Sequence, residues 1–448
     1  MKMKLIKLWE TLSVSFWFLP FLIIAFGIGL AFLFVNLDAQ YDIRFSGYLG
    51  LFTSGETEGA RAVLSAIASS MMTIAGIIFS ITIVTLVLAS SQMGPRVLRN
   101  FIKSKLNQVV LGSYVASFIY CLLVLRVVSG ENDNAFVPTI SLTFAMAQAI
   151  ANILLLIFFI NHVSSSIQAD NVVADLSKEL GHKIEIIFPE EIGKEDKEFK
   201  EDRAVEHIDK ERYPITEVLP SLKSNYLESI GQEKILELST QNDLVLKFDY
   251  RPGHYIIKGC SFMVVHSVQP LDKDLKESIY ACFNFARRRS PAQDAEFVIS
   301  QIVEVAVRAL SPSLNDPFTV ITCIDKLGAA VCDLTSKEFP SSWRLDDQGN
   351  LRIIANAPTF EGMVDAAFNQ IRQYGKANAD ILTRLMDTFA AIVEKASTRE
   401  QFEVILKHAR MVNRAGEKNL EEPHDLEELK KRYLALLKKL PDEGSVLT

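Results

Sequence analysis

Along the first third of the chain, apolar residues run unbroken; beyond it they recur every two or every three to four positions. Four stretches, at 15–35, 62–91, 109–125 and 137–160, carry no charge inside. Each approaches or exceeds the roughly 20 apolar residues that cross a bilayer. A buried helix of a water-soluble domain rarely stays uncharged for so long, so the pattern predicts four membrane spans. The first run is too long, too aromatic and too poor in small residues at its end to be a cleaved signal. The run at 62–91 is longer than the hydrocarbon requires and should tilt or project beyond it.

From 161 to 180 apolar positions recur at helical spacing, which predicts that the fourth helix continues out of the membrane as a stalk. A dense mixed-charge stretch at 190–212 reads as a solvated connector. "LVLKFDY" (244–250) and "YIIKGCSFMVVHSV" (255–268) are β-branched and aromatic, divided by the "RPGH" turn. They predict a small, barrel-like β unit with a turn or bulge at Gly259. Helical periodicity then returns at 295–310, 318–334, 360–373, 379–395, 399–413 and 425–440. The last helix aligns Leu426, Leu429, Tyr433, Leu436 and Leu440 on one face, for docking on its own domain or on a copy of itself. The predicted fold class is a membrane α-helical domain of four spans followed by an α+β cytoplasmic domain. Its divisions are a transmembrane domain (1–168), a stalk and connector (169–212), a β-rich subdomain (213–270) and a helical subdomain (271–448).

Charge sets the orientation. Lys2, Lys4 and Lys7 precede the first span, and Arg96, Arg99, Lys103 and Lys105 fill the connection between the second and third. The other two connections carry Asp38, Asp42, Glu56, Glu58, Glu131 and Asp133 against Arg44, Arg61 and Arg126. Positive residues stay on the cytoplasmic side, so a multi-pass inner-membrane protein with both termini in the cytoplasm is expected. The net charge of −7 argues against a nucleic-acid partner. The five cysteines show no C-x-x-C pairing or zinc spacing and suit a reducing compartment.

Ser65, Ser69, Thr73, Gly76 and Ser80 fall on one helical stripe of the second span, and Ser141, Gln148 and Asn152 share a face of the fourth. Such stripes serve either close helix packing or a polar path through the membrane. Ser65, Ser69, Thr73, Ser80, Gln148 and Asn152 are therefore the candidate pore-lining positions. No ionisable residue lies mid-span, which weakens proton-relay and pump readings. The chain has no phosphate-binding glycine loop and no G-x-S-x-G, and none of its seven histidines has metal-site spacing. No enzyme, cofactor or metal is predicted.

One stretch stands apart. "RALSPSLNDPFTV" (308–320) breaks one helix at Ser311-Pro312 and starts another at Asp316-Pro317. Aspartate can cap the free amides of the new helix, and proline suits its first position. Capping accounts for Asp316 and Pro317, and Arg308 stands one turn from Glu304 for a local ion pair. Asn315 and Thr319 keep a ligand-site reading open beside the structural one.

The blocks at 59–101 and 308–328, with SSQxxPR and RALSPxxNDPxT at their hearts, resemble a family of bacterial predicted membrane proteins grouped as a domain of unknown function. The "RPGHYIIKG" turn (251–259) is a weaker third match, with His254 where an acidic residue is more typical. The resemblance implies an integral membrane protein with a cytoplasmic domain, and no particular activity. It singles out Ser91, Gln92, Pro95, Arg96, Arg308, Ser311, Asn315, Asp316, Pro317 and Thr319 as motif positions. Ser91, Gln92 and Arg96 at the exit of the second span, and Arg308, Ser311, Asn315, Asp316 and Thr319 at the corner, are thus candidate binding positions for an ion or small cytoplasmic ligand. The exit and the corner are expected to meet. The function expected is an oligomeric, channel-like or transport protein in a lipid bilayer, with a non-conducting sensor or scaffold as the rival and a membrane-anchored enzyme behind both.

Overall fold

The structure, a computed structural model, describes residues 17–41, 57–94, 105–128, 136–166, 168–188, 208 and 211–440. It divides into two compact units, Met1–Asn171 and Val172–Thr448. Arg96, the lysines before the first span and nearly all of the charged connector lie outside the described residues.

The N-terminal unit holds four helices long and apolar enough to cross a membrane: α1 (Phe18–Gln40), α2 (Thr57–Met93), α3 (Lys105–Val127) and α4 (Thr139–Ser166). Small residues let them approach closely. A Cβ added at Gly27 would stand 3.1 Å from the Cβ of Ala116, and one at Gly112 would stand 3.0 Å from the Cα of Pro20. These glycines hold α1 against α3. The interior is filled by Leu64, Ala68, Met71, Ala75 and Ile78 from α2 and by Tyr114, Tyr120 and Val124 from α3. Large side chains such as Phe21, Phe26, Val84, Leu154 and Ile157 point outward, as hydrocarbon permits.

Asp38 is not the loop charge expected. It lies in the last turn of α1, 9% exposed. Its carboxylate accepts hydrogen bonds from the amides of Ile140 (2.8 Å) and Ser141 (2.9 Å) and from the Ser141 hydroxyl (2.7 Å). One helix thereby caps another, satisfying amides that open α4.

The expected continuous stalk is broken. α4 stops at Ser166 and α5 (Ala169–Ile187) starts anew. The turn is held by Asn171, which donates to the carbonyl of Ser165 at 2.7 Å and to the side-chain oxygen of Gln168 at 3.2 Å. α5 buries Val173, Leu176, Leu180 and Ile184, and Phe188 beyond it packs on Phe339 at 4.8 Å. It is therefore part of a packed domain and not a free rod.

The C-terminal unit is α+β. Its strands are β1 (Ile215–Pro220), β2 (Asn225–Ile230), β3 (Val245–Phe248), β4 (Tyr255–Ile256), β5 (Ser261–Ser267), β6 (Phe283–Ala286), β7 (Trp343–Leu345) and β8 (Leu351–Ala355). They form a five-stranded sheet, ordered β1-β5-β3-β8-β7, and a three-stranded sheet, ordered β4-β2-β6. Gly259, at φ +85°, makes the turn that separates β4 from β5. The sheets replace the barrel-like unit expected. The boundary drawn at residue 270 also fails within the sheet, because β8 pairs in parallel with β3 and β7 pairs with β8. Leu246, Phe248, Phe262, Val265 and Ile353 form the core between these strands.

Short helices α6 (Gln232–Gln241) and α7 (Lys273–Tyr280) punctuate the strands. The helical layer follows: α8 (Ala295–Ala309), α9 (Pro317–Leu334), α10 (Phe360–Tyr374), α11 (Ala379–Lys395), α12 (Arg399–Asn419) and α13 (Pro423–Leu437). Side chains start all six of these helices: Asp294, Asp316, Thr359, Asn378, Thr398 and Glu422 each accept a first-turn amide. Thr398 and Gln401 form a reciprocal capping box. α13 docks on its own domain. Leu429 and Leu436 are fully buried, and a Cβ at Gly416 of α12 would meet Leu429 at 2.2 Å.

A charge network, buried at Arg352 and Asp346, ties strand β8 to its neighbouring loops. Arg352 in β8 donates from Nε to Asp346 at 2.7 Å and from a terminal nitrogen to Asp243 at 2.5 Å, with its side chain 5% exposed. Burial would push the Asp346 carboxyl up, but the amides of Asn350 and Gln348 and the Arg352 guanidinium outweigh it, so its pKa falls. The Arg352 guanidinium likewise lowers the pKa of Asp243.

Candidate functional site

The polar positions of the membrane unit separate into two groups. Ser65, Ser69, Thr73, Gly76 and Ser80 all lie on the exposed side of α2, opposite the buried Leu64–Ala68–Met71–Ala75 face. Two of the hydroxyl donors are used locally. Ser69 Oγ donates to the carbonyl of Ser65 at 2.9 Å, and Thr73 Oγ1 donates to that of Ser69 at 2.9 Å. At Ser69 and Thr73 the outward face therefore presents hydroxyl oxygens whose protons are already engaged.

Asn152 behaves oppositely. It is 1% exposed inside the bundle, where its amide nitrogen donates to Ser117 Oγ at 2.7 Å and its amide oxygen accepts from Ser113 Oγ at 2.7 Å. The Tyr114 hydroxyl donates to its main-chain carbonyl at 2.6 Å. Asn152 thus joins α4 to α3 within one chain, and it is separated from the α2 stripe. Gln148, one turn away, is half-buried, with its side-chain oxygen enclosed and without a hydrogen-bond partner among the described residues. At the end of α2, Ser91 is exposed and donates to the carbonyl of Leu88 at 2.9 Å, while Gln92 is half-buried.

The corner between α8 and α9 is built as a stop and a start. α8 ends at Ala309; the amides of Ser311 and Asp316 return to the carbonyls of Arg308 and Ala309, each at 2.9 Å. Asn315 takes φ +45°, a left-handed conformation that asparagine tolerates better than most residues. That conformation turns the chain and accounts for a residue the capping signal leaves unexplained. Asp316 accepts the amide of Thr319 at 3.1 Å and its hydroxyl at 2.5 Å, with Pro317 in the first turn. Arg308 pairs with Glu304 at 3.6 Å. Ser311 and Ser313 share a hydrogen bond at 3.2 Å. The residues come together as a cap and turn, and the outer surface of the corner shows Leu314 and Phe318, the latter 79% exposed.

The other end of α8 is where sequence reading missed most. The RPGH turn locks onto it. Arg251 donates to Glu296 at 2.6 Å, and Arg289 donates to Asp294 at 2.6 and 3.1 Å. Gly253 has φ +96°, and a Cβ there would lie 2.1 Å from the Asp294 carboxylate, so only glycine admits this contact. Burial pushes the adjacent His254 imidazole below its usual range, and the Arg251 charge acts in the same direction. The Pro-Gly pair announced the turn, but the ion pairs join residues far apart in sequence and leave no local signal.

Beside this lock lies a cavity of about 750 Å³. It opens at the carboxyl ends of the parallel strands β3 and β8, where chains leave through Phe248–Arg251 and Ala355–Pro358. Open α/β sheets commonly hold ligands at this end. Three helices begin at its margin. α8 and α10 carry side-chain caps, whereas no side chain caps α6 at Gly231.

Residues 13–391 match the family described as "Predicted membrane protein (DUF2254)", and the chain belongs to that family. It is 28% identical over 426 residues to Uncharacterized protein Rv1290c of Mycobacterium tuberculosis, covering 93% of this chain and 79% of the relative. The same identity and coverage relate it to Uncharacterized protein Mb1321c of Mycobacterium bovis. No solved structure matches the chain.

Proposed function

We propose that the protein is a homo-oligomeric, channel-like membrane protein whose α2 helices line the oligomer axis through Ser65, Ser69, Thr73 and Ser80, with the C-terminal unit regulating it from the cytoplasm. The carrying observation is the exposure of this hydroxyl-and-glycine face on a protomer whose other α2 face is packed. A polar stripe facing lipid gains nothing, whereas a second copy or water satisfies it. Because Ser69 and Thr73 spend their protons on their own helix, the remaining lone pairs form an acceptor surface suited to water and cations. The lysine and arginine asymmetry assigns both termini to the cytoplasmic side of an inner membrane. The same local hydrogen bonds would also suit a dry helix interface, which favours the scaffold as second reading.

Thr73→Leu separates the two. It keeps the helix apolar and adds bulk. In a pore, potassium flux through purified protein in liposomes falls while the oligomer persists in mild detergent. Absence of flux from the wild-type protein, together with dissociation of the variant, would assign the stripe to packing and sink the channel reading.

A further inference from the structure

The cavity at the ends of β3 and β8 holds more than the ion pairs beside it require. Its volume, about 750 Å³, lies within the roughly 300–1,000 Å³ usual for small-molecule sites. Ile235, Phe248, Ile353 and Met363 give it apolar walls, which a bare inorganic ion would leave dry and unfilled. One corner is polar. Arg251 spends a terminal nitrogen on Glu296, yet its Nε is buried and has no hydrogen-bond partner among the described residues. A buried donor left unpaired costs about 1–3 kcal/mol, more when charged, so the protein carries an unmet demand for an acceptor there. The lining carboxylates do not meet it: Asp294 is engaged by Arg289 and by the Phe297 amide, Glu296 sits on the other arm of Arg251, and Glu233 is exposed in the first turn of α6. The first turn of α6, with Lys234 and no side-chain cap, contributes to the same lining, and helix N-termini favour oxyanions.

We propose that this cavity binds a small organic anion, an apolar or aromatic body carrying a phosphate or carboxylate, with the oxyanion accepting from the Arg251 guanidinium and the first turn of α6. The body occupies the walls formed by Phe248, Ile353 and Met363. Nothing in this assignment rests on conduction, so it stands or falls apart from the channel reading. Since α8 begins beside the cavity and ends in the 308–320 corner, occupancy bears on a helix that spans both places.

The test is calorimetric titration of the full-length protein in detergent. Two probes represent the two sources of the anion: adenosine monophosphate for a phosphate on an aromatic body and octanoate for a carboxylate on an aliphatic one. Inorganic phosphate and adenosine are the controls that lack body or charge. At least one probe should bind about tenfold tighter than both controls, the share expected of one charged hydrogen bond. Which probe wins names the head group. Arg251→Gln should weaken that probe about tenfold. Because Arg251 also anchors α8, a second variant is needed: Ala357→Trp fills the cavity from a loop, leaves the ion pairs intact and should abolish binding with melting unchanged. Equal binding of probes and controls, or a probe affinity untouched by Ala357→Trp, would overturn the site.

Discussion

The two units of this chain solve burial in opposite senses. In the C-terminal unit the interior is Leu246, Phe262, Leu385 and Phe389, and charged side chains cover the outside. In the membrane unit the outside is Phe21, Phe26, Leu154 and Ile157, and the interior admits Asp38, Ser117, Ser141 and Asn152. Hydrocarbon offers no hydrophobic drive to hide a leucine, so helices there associate through small contacts and internal hydrogen bonds. The informative anomaly therefore inverts between units. In the C-terminal unit it is a charge that goes in, as at Arg352 and Arg251; in the membrane unit it is a polar stripe that stays out, as on α2.

The largest effect should come from breaking the rule in the C-terminal unit. Arg352→Ala leaves Asp346, only 3% exposed, as a buried charge without its cation. Removing one partner of such a pair costs about 3–5 kcal/mol. Thermal unfolding of the full-length protein should show that loss, and the double change Arg352→Met with Asp346→Asn should recover most of it. A single variant as stable as the wild type would mean that water reaches Asp346 and the network is not buried.

The counterpart in the membrane unit is Asp38. Asp38→Ala removes acceptors for two amides and a hydroxyl, at about 1–3 kcal/mol for the buried donors left unpaired. Ser141→Ala, which deletes one of the three bonds, should cost less, about 1 kcal/mol. Denaturant titrations of purified protein would rank them. An inverted ranking would mean that Ser141 holds α4 through packing and that the cap is incidental.

Much of this was legible in the sequence, for reasons that differ by region. The spans stood out because a bilayer demands long uncharged runs, and α11 was placed at its observed bounds because the apolar period marks it. The stalk misled because periodicity continues through 161–180 while the break at Ser166 rests on the hydrogen bonds of one asparagine. β8 hid because five residues, "LRIIA", carry no decisive period and gain their meaning from pairing with distant β3. At the corner the cap on Asp316 was readable from Asp-Pro, but the left-handed Asn315 was not used, although asparagine before Asp-Pro hints at it. The Arg251–Glu296 lock and the cavity depend on tertiary contact alone, so periodicity could not reveal them.

The smallest effect expected lies at that corner, and it decides whether the 308–320 block is architecture or a charged site. Asp316 accepts from the Thr319 amide and hydroxyl, both of which need an oxygen acceptor and neither of which needs a full charge. Asp316→Ala should therefore cost about 1 kcal/mol in unfolding experiments. Asp316→Asn should be almost silent, because the asparagine oxygen still takes the amide and the Thr319 hydroxyl can rotate to accept from its NH₂ group. Thr319→Val, buried and isosteric, should fall between the two, losing the hydroxyl bond while keeping the amide bond. The order Ala, Val, Asn follows from a neutral cap. If Asn proves as damaging to function as Ala while melting stays near wild type, the negative charge itself is in use, and the corner belongs with the buried charges of the C-terminal unit as a site rather than with its helix starts.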